Sequence, residues 1–443
     1  MRQRKIPVAC IQTRAADREA FDGAWPAVLA ALERAARGGA ALIVLPEGTV
    51  PAYVLGEEPV DEGQLDAARL RVSRIARAFG TTIVYGTARA SGGRTYNSAA
   101  VIGPDGSELG FADKQFLWHF DRRWFARGET LQPVDSPVGR LGVLVCADGR
   151  LPTIARTLVE RGAEMLVMPT AWVTSGRDPA AFENVQADLM INVRARENGV
   201  PFLAANKCGV ERGAVAYCGK SAIVAHDGTF VARAPEGEPG VVAGEIEVGL
   251  PPRGYEAAPI LEVPGGRKKS AARFAFTTAR DAGSLQRFAD LARLADADAL
   301  LSPESVGPAV GVTRLGGIAA AVVDDGVFEN PAGLVPTRLA GLDLFIWRTA
   351  RSDSNATALA RTRATELRGY VVVLPDDPEG RALAIDPDGV IVAGTFGAFR
   401  LAAFAYDANR TAATKVAPHT DVLEGLRAVE LLREGATAEV LLG

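Results

Sequence analysis

The feature that most constrains this chain is a regular alternation of short apolar runs with longer stretches of helical period. Residues 6–11, 41–45, 82–87, 141–145, 164–168 and 200–204 are rich in Val, Ile, Leu and Ala, the composition of strands buried on both faces. Between several of them, residues 21–37, 66–79, 152–160 and 182–197 place apolar side chains at helical spacing, and the first stretch runs into Gly38 and Gly39, a usual helix stop. Strand, helix, strand predicts parallel neighbours in one sheet. Residues 97–102 and a pair at 221–233 around Asp227 and Gly228 predict hairpins on top of that. The expected class is therefore α/β, and 443 residues exceed what one core usually serves, so two domains are expected.

In α/β sheets, sites form at the carboxyl ends of strands. Glu47 and Cys146 both stand just past such runs, in LPEG at 45–48 and RLGVLVCADGR at 140–150. Taken singly, Glu47 reads equally well as an exposed loop acid and Cys146 as a core thiol. The company of Cys146 is polar, however, because Asp148 and Arg150 follow at once, and charged groups at a core edge need partners. Residues 111–128, FADKQFLWHFDRRWFARG, interleave Lys114, His119, Asp121, Arg122 and Arg123 with Phe116, Trp118, Phe120, Trp124 and Phe125. That stretch reads as an amphipathic surface segment, as a nucleic-acid platform or as the wall of a small-molecule pocket. A net charge of −4 argues against nucleic acid and against an anionic membrane. No run is long enough to span a bilayer, and the start, MRQRKIPVACIQT, lacks the apolar segment of a signal peptide.

Scarcity narrows the chemistry further. Cys10, Cys146, Cys208 and Cys218 are too few and scattered for a disulfide scaffold, and Cys208 and Cys218 read as structural. With His119, His226 and His419 as the only histidines, neither a zinc site nor a histidine-based triad is expected. No metal and no cofactor is predicted, and a reducing cytoplasm is the expected location. What remains is a carboxylate, an ammonium and a thiol. A thiol needs a base or a positive neighbour to become a nucleophile. Glu47 is suited to take the proton and Lys114 to stabilise the oxyanion formed when Cys146 attacks an amide carbonyl.

These residues lie in blocks that resemble the nitrilase superfamily of carbon-nitrogen hydrolases. The blocks are LPEG at 45–48, YNSA at 96–99, DKQFLWHFD at 113–121, VCADGRLP at 145–152, MPTAW at 168–172, RAREN at 194–198, AANKCG at 204–209 and GKSAIV at 219–224. The resemblance implies an αββα sandwich over residues 1–250, with Glu47 as general base, Lys114 as oxyanion-stabilising residue and Cys146 as nucleophile. Where many members carry a second glutamate, this chain has Asp121. Trp118, His119, Trp172 and Asn206 are the expected substrate-binding residues. Arg150 is read either as a partner of Asp148 or as a contact for a substrate carboxylate. Nitrilases proper resemble C-W-E at the nucleophile, whereas Cys146, Ala147 and Asp148 look closer to amidases and carbamoylases. The expected reaction is hydrolysis of a small amide or N-carbamoyl compound. A nitrilase and a non-catalytic scaffolding protein are the alternatives.

The rest of the chain echoes the first part. Residues 272–278 resemble the first strand, 299–304 resemble 41–47, 316–331 resemble the stretch around Cys146, and RTRATELRGYVVVLPDD resembles RARENGVPFLAANK. An internal repeat is expected, truncated because the block containing the lysine is missing, with Val323 standing in for the nucleophile. Residues 251–270 are expected to be a linker, and 271–443 a degenerate, catalytically inactive domain. That domain could serve as a built-in partner in a monomer, or the chain could form a homo-oligomer.

Overall fold

The computed structural model describes residues 3–56, 59–174, 183–263, 269–307, 310–351 and 353–433. Its contacts divide the chain into two units, one of Met1–Gly254 with Ala417–Thr420 and the segment from Ala428, the other of Tyr255–Val416 with Asp421–Arg427.

The first unit opens with β1 (Arg4–Arg14), α1 (Phe21–Arg37), β2 (Leu42–Val44), α2 (Glu62–Phe79), β3 (Thr82–Ser91), β4 (Arg94–Ile102) and β5 (Glu108–Asp113). It continues with α3 (Asp121–Trp124), β6 (Leu141–Val143), α4 (Pro152–Glu160), β7 (Met165–Pro169), α5 (Ile191–Asn198) and β8 (Phe202–Ala205). Two hairpins, β9 (Lys207–Glu211) with β10 (Val215–Cys218) and β11 (Ala222–Val224) with β12 (Phe230–Arg233), precede β13 (Gly240–Val248). One sheet runs β10-β9-β1-β2-β3-β4-β5, with β13 antiparallel along β1, and the other runs β12-β11-β8-β7-β6. Helices α1 and α2 cover the first sheet over a core that includes Leu32, Ile43, Val72 and Ile83. Helices α4 and α5 cover the second, and β2 and β3 face β7 and β8. That is the four-layer αββα sandwich. Helix α2 begins at a capping side chain and ends at Gly80 in the left-handed conformation. The Asp61 carboxylate accepts from the amides of Gly63 and Gln64 at the start of α2, a standard N-cap.

Strand β9 lies beyond the runs read from the sequence, and two expected segments fall partly outside the described residues. Residues 207–209, which follow the apolar run at 200–204, open strand β9, and the β9–β10 register sets Cys208 directly opposite Cys218. The run is too short and too polar to show a period, since Lys207 and Cys208 are both buried, Gly209 is half-buried, Val210 exposed and Glu211 buried again. The helix expected from Phe182 cannot be placed there, since residues 175–182 lie outside the described residues. Described helix starts after Asn184, whose side-chain oxygen caps the amides of Gln186 and Ala187, and its first turn is π-helical. Of the expected linker 251–270, residues 264–268 lie outside the described residues. Beyond Gly254 the chain is held to the second unit, where the Leu261 amide donates to the Thr337 hydroxyl at 3.1 Å.

The second unit repeats the pairing scheme of the first. It contains β14 (Ala271–Thr277), β15 (Ala299–Leu301), β16 (Gly311–Leu315), β17 (Ile318–Val323), β18 (Leu344–Thr349), β19 (Tyr370–Pro375), β20 (Leu383–Ile385), β21 (Ile391–Gly394) and β22 (Leu401–Asp407). Strand β14 is parallel to β15 and antiparallel to β22, as β1 is to β2 and β13. Strands β17, β18 and β19 are parallel and continue antiparallel into β20 and β21, as β6, β7 and β8 do into β11 and β12. The register slips between Ile223 and Val224 in one unit and between Ala384 and Ile385 in the other.

This repeat corrects the expected counterpart of the nucleophile. Val143 pairs with Val167 and Val322 with Ile346. Arg194 donates to the carbonyls of Gly149 and Arg150, and Arg363 to those of Phe328 and Glu329. Both correspondences put Asp325, not Val323, opposite Cys146. Val323 still pairs within the sheet, so it belongs to the strand. The repeated aspartate-glycine letters misalign the two segments by two residues, while the arginine clamp fixes them correctly. The Asp325 carboxylate is engaged by the Trp347 indole N–H at 2.9 Å and the Ala350 amide at 3.3 Å.

Candidate active site

Glu47 leaves the end of β2, where the Leu45 amide still bonds the Val84 carbonyl. The chain then crosses to the facing sheet, with the Glu47 amide donating to the Thr170 carbonyl at 3.2 Å. Gly86 makes this crossing possible, since a Cβ there would stand 2.4 Å from the Glu47 Cα. Gly48, at φ 54°, folds the loop back so closely that its own Cβ would lie 2.5 Å from the Tyr53 Cα. Lys114 follows β5, its amide bound to the Asn97 carbonyl on β4. Cys146 follows β6 at φ 48°, a left-handed conformation that costs a non-glycine residue energy and is held by its surroundings. Asp148 does the holding, because its carboxylate accepts from the amides of Val145 (3.0 Å), Phe116 (2.7 Å) and Gln115 (3.0 Å).

These elements bring the side chains together. Lys114 Nζ lies 2.8 Å from Glu47 Oε1 and 2.6 Å from Asp121 Oδ2, and all three side chains are fully buried. Asn97 Nδ2 donates to the same Glu47 oxygen at 2.6 Å, whereas Glu47 Oε2 has no hydrogen bond among the described residues. Cys146 is 6% exposed. Burial pushes its thiol far above the ordinary range, Glu47 pushes it further, and Lys114 and the Ala171 amide pull it back. Burial opposes the charge on Lys114, but Asp121 and Glu47 outweigh it and hold the ammonium protonated. Burial also lifts Asp148, to about 7, against the amides of Phe116 and Val145.

The remaining expected residues sit around this group in different ways. Asp121 Oδ2 also accepts from the Trp118 amide at 2.8 Å, which ties the aromatic segment to the lysine. The Trp118 ring is half-buried and carries the Arg150 guanidinium 4.5 Å above its face. Asp148 therefore owes its position to backbone amides, and Arg150 has an aromatic partner. The His119 ring stands edge-on to Phe120 at 5.0 Å. Trp172 is buried, and its indole nitrogen has no acceptor among the described residues. Asn206, expected as a substrate contact, is fully buried behind Trp172. Its oxygen takes the Trp172 amide at 2.7 Å and its nitrogen reaches the Gly219 carbonyl at 2.6 Å, so its amide is spent on the backbone that positions Trp172. Tyr53, Asn97, Phe120 and Tyr217 escaped sequence reasoning as site residues. Asn97 left a trace there within the YNSA block, and Phe120 within the aromatic stretch at 111–128.

Residues 7–250 match the family described as Carbon-nitrogen hydrolase. The chain belongs to the carbon-nitrogen hydrolases. As a member it is a hydrolase of non-peptide C–N bonds. The match ends before the second unit begins. A hydrolase in the pqqF 5′ region of Pseudomonas protegens is 37% identical over 199 residues, covering 44% of this chain and 67% of that protein. A nitrilase of Pyrococcus abyssi is 32% identical over 228 residues (49% and 81%). An omega-amidase of Xenopus tropicalis is 30% identical over 229 residues (49% and 80%). Among solved structures, an amidase from Nesterenkonia sp. is 28% identical, with a TM-score of 0.48 over 54% of this chain and 89% of that one. No described helix of this carbon-nitrogen hydrolase is long and apolar enough to cross a membrane.

Proposed function

We propose that this hydrolase cleaves a small amide or N-carbamoyl compound through a thioester on Cys146, releasing ammonia or an amine. The observation that carries the reading is the division of labour on Glu47: one oxygen is bound by Lys114 and Asn97, and the other has no hydrogen bond. A carboxylate fixed at one oxygen is a base at the other. In this reading Glu47 Oε2 takes the thiol proton as sulfur attacks the carbonyl carbon, and Lys114 faces the oxyanion. Collapse of the tetrahedral intermediate breaks the C–N bond, and the Glu47 proton goes to the departing nitrogen. Glu47 next deprotonates a water that attacks the thioester, which frees the acid and restores the thiol. Asp121 is the second carboxylate on Lys114, 2.6 Å from its Nζ, and keeps the ammonium charged. No cofactor is needed for these steps, and the four free cysteines fit a cytoplasmic location.

Ala147 and Asp148 beside the nucleophile favour the amide reading, while the Pyrococcus abyssi relative named as a nitrilase favours a nitrile substrate as the second. A panel of small amides, N-carbamoyl amino acids and nitriles, read by ammonia release and by the intact mass of the chain, separates them. The amide reading expects an acyl adduct on Cys146 that is absent in Cys146→Ala. Turnover of nitriles alone would replace it with the second reading, and no adduct with no ammonia from any class would sink both. The second unit is proposed to be inactive. Asp325 stands at the place of the thiol, and Glu304, its counterpart of Glu47, has a side chain 42% exposed and 4.0 Å from Arg280.

A further inference from the structure

One buried carboxylate in the first unit has no part in the chemistry above. Glu211, on β9, is fully buried. Its Oε1 accepts from the Val54 amide at 2.6 Å, and its Oε2 from the Tyr217 hydroxyl at 2.8 Å and Lys207 Nζ at 3.2 Å. Burying a carboxylate is costly, and the cost is met only when its partners are complete. Here the partners come from three places: the loop that begins at Glu47, strand β10, and Glu211's own strand.

What the carboxylate holds is the more telling point. Val54 follows Tyr53, whose ring centre lies 5.7 Å from Lys114 Nζ. The Tyr53 ring rests on Tyr217, edge-on at 6.3 Å, and on Phe120 at 5.5 Å. Phe120 precedes Asp121, the residue that grips Lys114. A closed circuit results: Glu47, its loop, Val54, Glu211, Tyr217, Tyr53 and Lys114, which returns to Glu47. Both phenols stay protonated, since burial lifts them well above the ordinary value and the neighbouring carboxylates lift them further. Tyr217 is therefore a donor to Glu211 and Tyr53 a neutral wall beside the ammonium.

We infer that Glu211 is a positioning residue for the catalytic centre, acting through the Val54 amide and the Tyr217 hydroxyl to press Tyr53 against Lys114 and so fix the ammonium between Glu47 and Asp121. The inference rests on the catalytic reading of Glu47, Lys114 and Cys146. Displacing a reacting group by about 1 Å costs on the order of a hundredfold in rate, and Glu211 is the tie that prevents such drift on the aromatic side of Lys114.

The test uses iodoacetamide, which alkylates Cys146 directly, with the full chain followed by intact mass. Glu211→Leu combined with Lys207→Met removes both buried charges together, a replacement that often leaves stability unchanged. That pair is expected to alkylate Cys146 at least about tenfold more slowly than wild type at neutral pH, and Tyr217→Phe about threefold to tenfold more slowly. A merely structural role would lower the unfolding midpoint and leave the rate unchanged well below it. A folded pair alkylating within about twofold of wild type overturns the inference. Should the pair fail to fold, Tyr217→Phe decides, and an unchanged rate there overturns it equally. Glu47→Gln is the control: if it leaves alkylation unchanged, the catalytic reading itself fails, whereas an effect of Glu47→Gln without one of Glu211 or Tyr217 defeats this inference alone.

Discussion

Cys146 is a thiol at neutral pH, because burial and Glu47 disfavour the thiolate more than Lys114 favours it. An acid whose value is raised keeps its proton until alkaline pH, so the nucleophile is made only when Glu47 takes the proton. Because that proton passes to Glu47 and not to solvent, alkylation of Cys146 by iodoacetamide should vary little between pH 6 and 8, whereas in Glu47→Gln only the thiolate reacts and the rate should climb about tenfold per pH unit. A wild-type rate that climbs about tenfold per unit, as in Glu47→Gln, would mean that Glu47 is not the base. Removing the base, in Glu47→Gln, should lower kcat by about 10²–10⁴-fold. Lys114 is bound to two buried carboxylates, so Lys114→Met strips both of their cation. The expected result is about 10²–10³-fold lower kcat together with roughly 3–5 kcal/mol less stability, read by steady-state kinetics and urea unfolding. Loss of stability without loss of rate would reduce Lys114 to a structural ion.

The elbow after β6 depends on Asp148, lifted by burial from 3.8 to about 7. Between those values the folded chain holds a proton that the unfolded chain has released, so stability should fall as pH rises through this window, by up to about 1.4 kcal/mol per pH unit, and level off above it. Asp148→Asn cannot titrate, and its unfolding free energy should lack this part of the slope between pH 5 and 7. A second element-level feature is the arginine clamp made twice. Arg194 bonds Glu197 at 2.6 Å and two carbonyls beyond Cys146, and Arg363 bonds Glu366 at 2.6 Å and two carbonyls beyond Asp325. Arg194→Met and Arg363→Met should each cost roughly 3–5 kcal/mol, since each leaves a buried glutamate without its cation, but only Arg194→Met should also slow Cys146 alkylation. Equal effects on alkylation would mean that the clamp does not act through the elbow. The α/β class and the carboxyl-end positions of Glu47 and Cys146 were legible in the sequence, because buried strands and helices write their period into it, while the four-layer sandwich was implied only by the resemblance of the motif blocks. Strand β9 was not, since five residues of irregular burial carry too little pattern. Tyr53 and Glu211 were not either, because their meaning lies in contacts between segments more than a hundred residues apart.

At the scale of the whole molecule, the repeat separates what the architecture needs from what the chemistry needs. The pairing order, the register slip and the arginine clamp occur in both units. The thiol does not, nor does the stretch that supplies Lys114: where the first unit spends 45–140 between its second strand and the strand of the nucleophile, the second passes from β15 to β17 through residues 302–317. Asp325 already has donors from Trp347 and Ala350, the latter matching the Ala171 amide that faces the Cys146 thiol. A thiol placed there would find an amide in the right place but no counterpart of Lys114. Cys146→Ala should therefore abolish turnover of any substrate the chain accepts, and adding Asp325→Cys to that variant should restore none of it, because a nucleophile lacking its base and its ammonium forfeits the 10²–10⁴-fold, or so, that each supplies. Ammonia release by Cys146→Ala at more than about a hundredth of the wild-type rate, a deficit smaller than removal of an essential nucleophile allows, would place a working site in the second unit and overturn its assignment as inactive.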